Sequence, residues 1–361
     1  LTREEDVAKK IEKVRVYAHS RGKKGAVISS VENFAWLTSG ARSYIALTDS
    51  VGSAWLLVTD DDAHVITKNI EAERLKKEEL PSNLKVIEFE WFSDPNVAIR
   101  KILDDQNILF EADPEFADFL LKSRIRLSEY EIERYAEVGK KSAIALEKAM
   151  KRIKPDMSEL EGKGLIEQEL ANEGLDSLLV LVFGDESRMT YRHNLPRNVK
   201  IGNRCFGSVC AKKYGLVISS TRTIEFEKDE KFEKQYSVNM KVDAEILDAT
   251  YRSNSMGQIF FEIEKIYSSH GYPDEWKLHH QGGIAGYKTR EIVAIPHMPF
   301  EISDGVSFAW NPTITGTKLE DTYVRTKSGM KLLSVDENGT WPYHDIQING
   351  RNYKRPAILK L

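Results

Sequence analysis

The chain has 361 residues, enough for two domains with separate cores, since single cores stop growing at roughly 250–300 residues. It is 41% hydrophobic and 30% charged, and its net charge of −4 gives no electrostatic reason to bind nucleic acid or an anionic membrane. No run approaches the ~18 apolar residues of a membrane-spanning helix, so a soluble, cytoplasmic chain is expected.

The opening segment "LTREEDVAKKIEK" has neither a basic start nor an apolar run, so it reads as a helix and not as a signal peptide. Thr2 and Glu5 form a capping box, and Val7, Ile11 and Val14 recur at helical spacing. Short β-branched runs follow at "GAVIS", "SAWLLVT", "AHVIT" and "LKVIEFE", with turn residues between them. "DPNVAIRKILDD" is helical and "ILFEA" strand-like, which completes a small α/β domain over residues 1–124.

Residues 125–361 read as a second domain. Ser128 with Glu131 and Ser158 with Glu161 are two further capping boxes, and Pro155 separates the helices they start. Ile132, Tyr135, Ala143, Leu146, Met150 and Ile153 form a buried stripe. Strands are expected in "SLLVLVF", "CFGSVCAKKYGLVISSTRTIEF" and "VSFAWNPTITGTKLEDTYVRT", with helices near 228–248 and 256–270 between the last two. Asn-Gly pairs at 338–339 and 349–350 suit hairpin turns. Cys205 and Cys210 fall in one strand at an odd offset, on opposite faces, which argues against a disulfide or a cysteine zinc site.

Four blocks stand out: "YRHNLPRNVKIGNRCFGSV", "YGLVISSTRT", "LHHQGGIAGYKTRE" and "ISDGVSFAWNPTITGTKLEDTYVRTKSG". In this order they resemble the creatinase/aminopeptidase-P/prolidase family, the M24 peptidases. The resemblance implies a C-terminal α+β pita-bread domain with an N-terminal α/β domain, a homodimer, and hydrolysis of Xaa-Pro dipeptides or similar small molecules. It also implies two divalent metals on two aspartates, a histidine and two glutamates, because adjacent dications need several anionic oxygens. Aligned on Thr221-Arg222-Thr223, this chain has Ser208 and Ser219 at the aspartate positions. Aligned on Gly286, it has Gly283 at the histidine; Asn311 replaces one glutamate, and only Glu320 is kept. No cofactor is therefore expected, and the dinuclear site is read as lost.

The same resemblance assigns the remaining roles. His193 matches the proton-transfer histidine of creatinase, the metal-free member, and an imidazole titrating near neutrality suits that work. His279 matches the histidine that polarises a substrate carbonyl, with His280 an alternative if the turn shifts by one. Neighbouring histidines on a strand point to opposite faces, so one of the two is expected in the cavity. Glu320 would orient substrate. Arg290 either pairs with Glu291 or grips a substrate carboxylate, and Arg222 orients carboxylates or pairs with Asp321. Ser208, Ser219 and Asn311 complete a polar pocket for a small-molecule or short-peptide ligand.

Gly282, Gly283 and Gly286 do not form a dinucleotide fingerprint; they allow close backbone approach. Three readings follow: a metal-independent C–N hydrolase acting on an amide, amidine or peptide-like substrate, a non-catalytic small-molecule binder, or a metal-dependent Xaa-Pro peptidase with an unusual ligand set. A single zinc ion on the two adjacent histidines and Glu320 is the remaining metal option.

Overall fold

A computed structural model describes all 361 residues, Leu1–Leu361. The chain divides into two compact units, Leu1–Glu133 with Tyr214–Leu216, and Arg134–Lys213 with Val217–Leu361. The division falls inside the helix Glu129–Met150.

The first unit is built on a five-stranded sheet. Its strands are β1 (Gly25–Ser30), β2 (Val51–Thr59), β3 (Ala63–Lys68), β4 (Lys85–Phe89) and β5 (Ile108–Phe110), in the order β4-β3-β2-β1-β5. The first helix, Arg3–Ser20, starts at the expected capping box: Thr2 accepts from the Glu5 amide and Glu5 accepts from the Thr2 amide. Val7, Ile11 and Val14 are buried on its inner face. Lys10 on the same helix is also buried, 2.7 Å from Asp6 and 3.0 Å from Glu131, and these carboxylates offset the cost of taking its charge out of water. The helix Pro114–Arg124 carries signals that single-residue pattern reading passed over, an Asp113 N-cap and proline at the first helical position.

The second unit holds two sheets. The four-stranded one contains β6 (Asp176–Phe183), β7 (Arg204–Lys213), β8 (Leu216–Glu225) and a short final strand. The five-stranded one contains β9 (Gly282–Ala285), β10 (Ile292–Val293), β11 (Ser307–Trp310), β14 (Asp321–Thr326) and β15 (Gly329–Leu332), ordered β10-β9-β11-β14-β15. Two-stranded pairs β12 (Thr313–Ile314) with β13 (Thr317–Lys318), and β16 (Tyr343–Ile348) with β17 (Arg351–Pro356), complete it; the final strand, β18 (Leu359–Lys360), runs parallel to β8. The two helices expected between β8 and β11 are Glu230–Arg252 and Met256–Ser269.

Register positions the site. Trp310 on β11 lies opposite both Gly282 on β9 and Asp321 on β14, so Gln281, Asn311 and Glu320 all leave the sheet at the same end. Asn349-Gly350 joins β16 to β17, both residues at positive φ as that tight turn requires. Asn338-Gly339 differs from expectation: it closes a turn, with the Gly339 amide on Asp336 O, and connects no paired strands. Cys205 and Cys210 are buried free thiols on β7. No helix is long and apolar enough to cross a membrane.

Candidate active site

Glu320 is buried at the foot of β14 and is gripped from both sides. Arg290 donates to its Oε1 at 2.7 Å, and the Lys318 ammonium lies 3.2 Å from Oε2. Thr221 reaches Oε2 at 3.5 Å and shares a 2.7 Å hydrogen bond with Ser208. Arg290 also donates to Ser219 Oγ at 3.2 Å. Burial alone would raise the Glu320 pKa, but Lys318 and Arg290 overcome it and hold the carboxyl at about 2. The group is therefore a permanent carboxylate, neutralised by the chain's own cations.

Beside this cluster lies a cavity of about 120 Å³, lined by Leu179, Leu181 and Val209 and, among its polar residues, by His193, His280, Asn311 and Lys318. His193 sits in an exposed loop whose neighbours are both anchored. Arg192 donates to Glu275 and Thr315, while buried Asn194 donates to Glu159 and to the Val182 carbonyl. The imidazole between them is thus presented by two fixed residues.

His279 and His280 follow a short 3-10 turn, Glu275–Leu278, and precede β9. They lie in the turn before the strand, and of the two only His280 lines the cavity while His279 is buried, so one ring reaches the cavity as expected. Their rings stack with centroids 4.5 Å apart, and both face His193 at 4.8 and 5.5 Å. Gln281 holds the turn by donating to the His279 and Trp276 carbonyls and accepting from the Tyr267 hydroxyl.

His279 Nε2 and His193 Nε2 are 3.1 Å apart, and that bond needs a proton on one of them. Placing it on His279 leaves the bare Nδ1 lone pair in its buried, partnerless position, which costs less than a buried N–H without an acceptor. Burial, followed by the charge of Lys318, lowers the His279 pKa to about 2; burial and Arg290 lower that of His280 to about 4. Burial and Lys318 also push His193 below its ordinary value. All three are neutral imidazoles at neutral pH.

The two divalent ions that the family resemblance implies do not fit these residues. Ser208, Ser219 and Asn311 supply no anionic oxygen, and both oxygens of Glu320 already face cations. Gly283 cannot regain a side chain: its φ is +149°, and a Cβ there would lie 2.2 Å from the Ile292 carbonyl oxygen. Gly282 is equally closed, against the Ala309 carbonyl of β11 at 2.1 Å. These glycines serve contact between strands. For a single ion, the only histidine-carboxylate-cysteine group with suitable geometry is His193, His279 and His280, whose ligand atoms lie within 4.8 Å of one another; Glu320 is not part of it.

Of the other sequence candidates, Arg290 lines the cavity, and Arg222, Glu291 and Ser219 do not. Arg222 is fully buried, with donors to Glu147, Asp321, the Thr221 and Ser334 carbonyls and the Tyr343 hydroxyl, so it has no donor left for a substrate. Glu291 accepts from the Tyr287 amide, and Arg290 turns to Glu320. Ser219 stands behind Arg290 and within 3.4 Å of Cys210 Sγ. Lys318 was not singled out from sequence. The readable signal was its place two residues before Glu320 in an extended segment, which puts both side chains on one face.

The profile of metallopeptidase family M24 matches residues 133–327. No curated protein matches the chain in sequence. Among solved structures, the X-Pro aminopeptidase from Thermotoga maritima MSB8 superposes with a TM-score of 0.74 at 17% identity, covering 97% of this chain and 99% of that one. The prolidase from Pyrococcus horikoshii OT3 gives 0.73 at 18% identity, over 91% and 99%. The N-terminal domain of the FACT complex subunit SPT16 from Cicer arietinum gives 0.63 at 12% identity, over 92% and 95%. At these identities the likeness is one of fold, and the fold is the α+β pita bread with its N-terminal α/β domain.

Proposed function

The chain belongs to metallopeptidase family M24, and from that premise we propose that it hydrolyses a C–N bond in a small amide, amidine or peptide-like molecule without a dinuclear metal centre. The observation that carries this reading is the pairing of Glu320 with Arg290 and Lys318, two fixed cations where a metal-dependent member would need dications. His193 takes a proton from the attacking water and returns it to the leaving nitrogen once substrate entry breaks the His279 bond that otherwise occupies its Nε2 lone pair. His280 lines the cavity, and the His279 Nε2–H, released from His193, donates to an oxygen on which charge develops. Xaa-Pro dipeptides are the first substrates to try, since similar folds are named as a prolidase and an X-Pro aminopeptidase.

The test is turnover of Xaa-Pro dipeptides and small amides by chelator-treated protein. Activity that survives chelation and is lost in His193→Ala supports the reading. Two tightly bound divalent ions per chain, or activity abolished by chelation, overturns it.

A second reading, a binder without turnover, has its own support. No carboxylate orients any of the three imidazoles; His193 bonds to another histidine. One similar structure is named as a domain of a complex subunit and not as a peptidase. A co-purifying small molecule, with no turnover across a broad screen, is its signature.

A further inference from the structure

Charged groups in the cavity do not balance. Its lining holds two cations, Arg290 and Lys318, and one anion, Glu320, which leaves a net charge of +1 when the histidines are neutral. The side chains of Lys318 and Arg290 are only 4% and 9% exposed, so bulk water screens the excess weakly. An unbalanced buried charge is costly unless a counter-ion meets it.

Orphaned polar atoms point to the same space. Arg290 Nε and Asn311 Oδ1 are buried without partners. Lys318 contacts Glu320 alone, although an ammonium has three donors. Asn311 is 2% exposed and lines the cavity, where its amide NH₂ can donate. The lining also includes the apolar residues Leu179, Leu181 and Val209. The cavity's 120 Å³ is the space of about four waters.

We propose that this cavity binds a small monocarboxylate, its COO⁻ held by Lys318 and Asn311 on the Arg290 side of the pocket and its short apolar body against Leu179, Leu181 and Val209. One negative charge cancels the excess, whereas a neutral amide leaves it in place and a dianion overshoots it. This deepens the hydrolase reading and rests on it: it narrows the substrates of that site to amides or peptide-like molecules that also carry one free carboxylate, held by the chain's own cations.

Calorimetry and thermal shift on the chelator-treated, full-length chain test it, with propanoate and butanoate set against propanamide and butanamide. The acids bind and raise the melting temperature, and the amides do neither. Lys318→Met weakens acid binding roughly tenfold or more, the scale of a charge-assisted hydrogen bond. Glu320→Gln acts in the opposite sense and tightens it, because it removes the competing anion; a misfolded variant would not bind more tightly. Amides binding as well as acids, no binding of acids, unchanged affinity in Lys318→Met, weaker affinity in Glu320→Gln, or a preference for inorganic phosphate would each overturn the proposal. Acids that bind to a protein without turnover would remove the hydrolase reading and leave this site standing. Turnover without acid binding would do the reverse.

Discussion

Arg290 donates to Glu320 at 2.7 Å while a second donor of the same guanidinium reaches Ser219 at 3.2 Å, so one side chain spans two positions that the family resemblance assigns to metal ligands. Arg290→Met strips Glu320 of its closer partner and leaves Lys318 to carry the pairing. The expected loss is about 2–3 kcal/mol, below the full cost of isolating a buried charge because one cation stays. Urea denaturation of the two proteins measures it.

Metal content gives a second prediction. Prolonged chelation should leave the melting temperature unchanged, since Glu320 is already neutralised by Arg290 and Lys318 and Ser208, Ser219 and Asn311 bring no anionic oxygen. Added zinc has one credible seat, the three imidazoles, whose closest nitrogens at 3.1 Å approximate the spacing of two ligands on a tetrahedral ion. Binding should therefore stop at one ion per chain and disappear in His279→Ala. Elemental analysis after dialysis gives the count.

Restoring the aligned histidine should fail. Gly283→His places a Cβ 2.2 Å from the Ile292 carbonyl oxygen in a backbone that L residues rarely adopt. Even Gly283→Ala should cost about 3 kcal/mol or more through overpacking and strain. Metal affinity should not rise in either variant, as calorimetry with manganese or zinc would show.

Acid should destabilise the fold in a defined direction. His279 and His280, at about 2 and about 4, lie below their ordinary value of 6.5. Between those values and about 6.5 the unfolded chain binds more protons, so stability falls as pH drops. Glu320, at about 2 against an ordinary 4.5, adds a loss of the same sign below about 4.5. Melting temperatures measured from about pH 7 to pH 4 should decline, and His279→Asn should flatten the upper part of that slope.

Asp321 faces away from the cavity, as the alternation of an extended chain requires after Glu320. Arg222 meets its Oδ1 at 3.0 Å and Arg355 its Oδ2 at 3.1 Å, all three fully buried. Asp321→Ala leaves two arginines facing each other with fewer acids between them. It should destabilise by about 3–5 kcal/mol, and chemical denaturation would reveal a chain near its folding threshold.

What could be read from sequence follows from which interactions are local. Capping boxes at Thr2, Ser128 and Ser158 and the β-branched runs define their own elements, because caps and periodicity act within a few residues. The family blocks likewise located His193, Ser208, Asn311 and Glu320 near one cavity. Lys318 escaped notice because its meaning comes from Glu320 and Arg290, and Arg290 approaches from another strand connection. The partner of Arg290 was open for the same reason: Glu291 is adjacent in sequence, yet register brings Glu320 closer in space. His279 and His280 were read as strand residues, whereas the 3-10 turn and Gln281 set their direction.

The clamp behind the site has a bearing on how this protein can be dissected. Arg355 and Tyr343, which close on Asp321 and Arg222, come from the β16–β17 hairpin, and Ser334 precedes it; all three lie beyond residue 327, where the family match ends. Homology and cooperativity therefore have different borders in this chain. A fragment cut to residues 133–327 would keep every cavity side chain and lose the groups that neutralise the buried charges behind them. Its collapse would report on the missing hairpin, and would carry no information about the chemistry of the pocket.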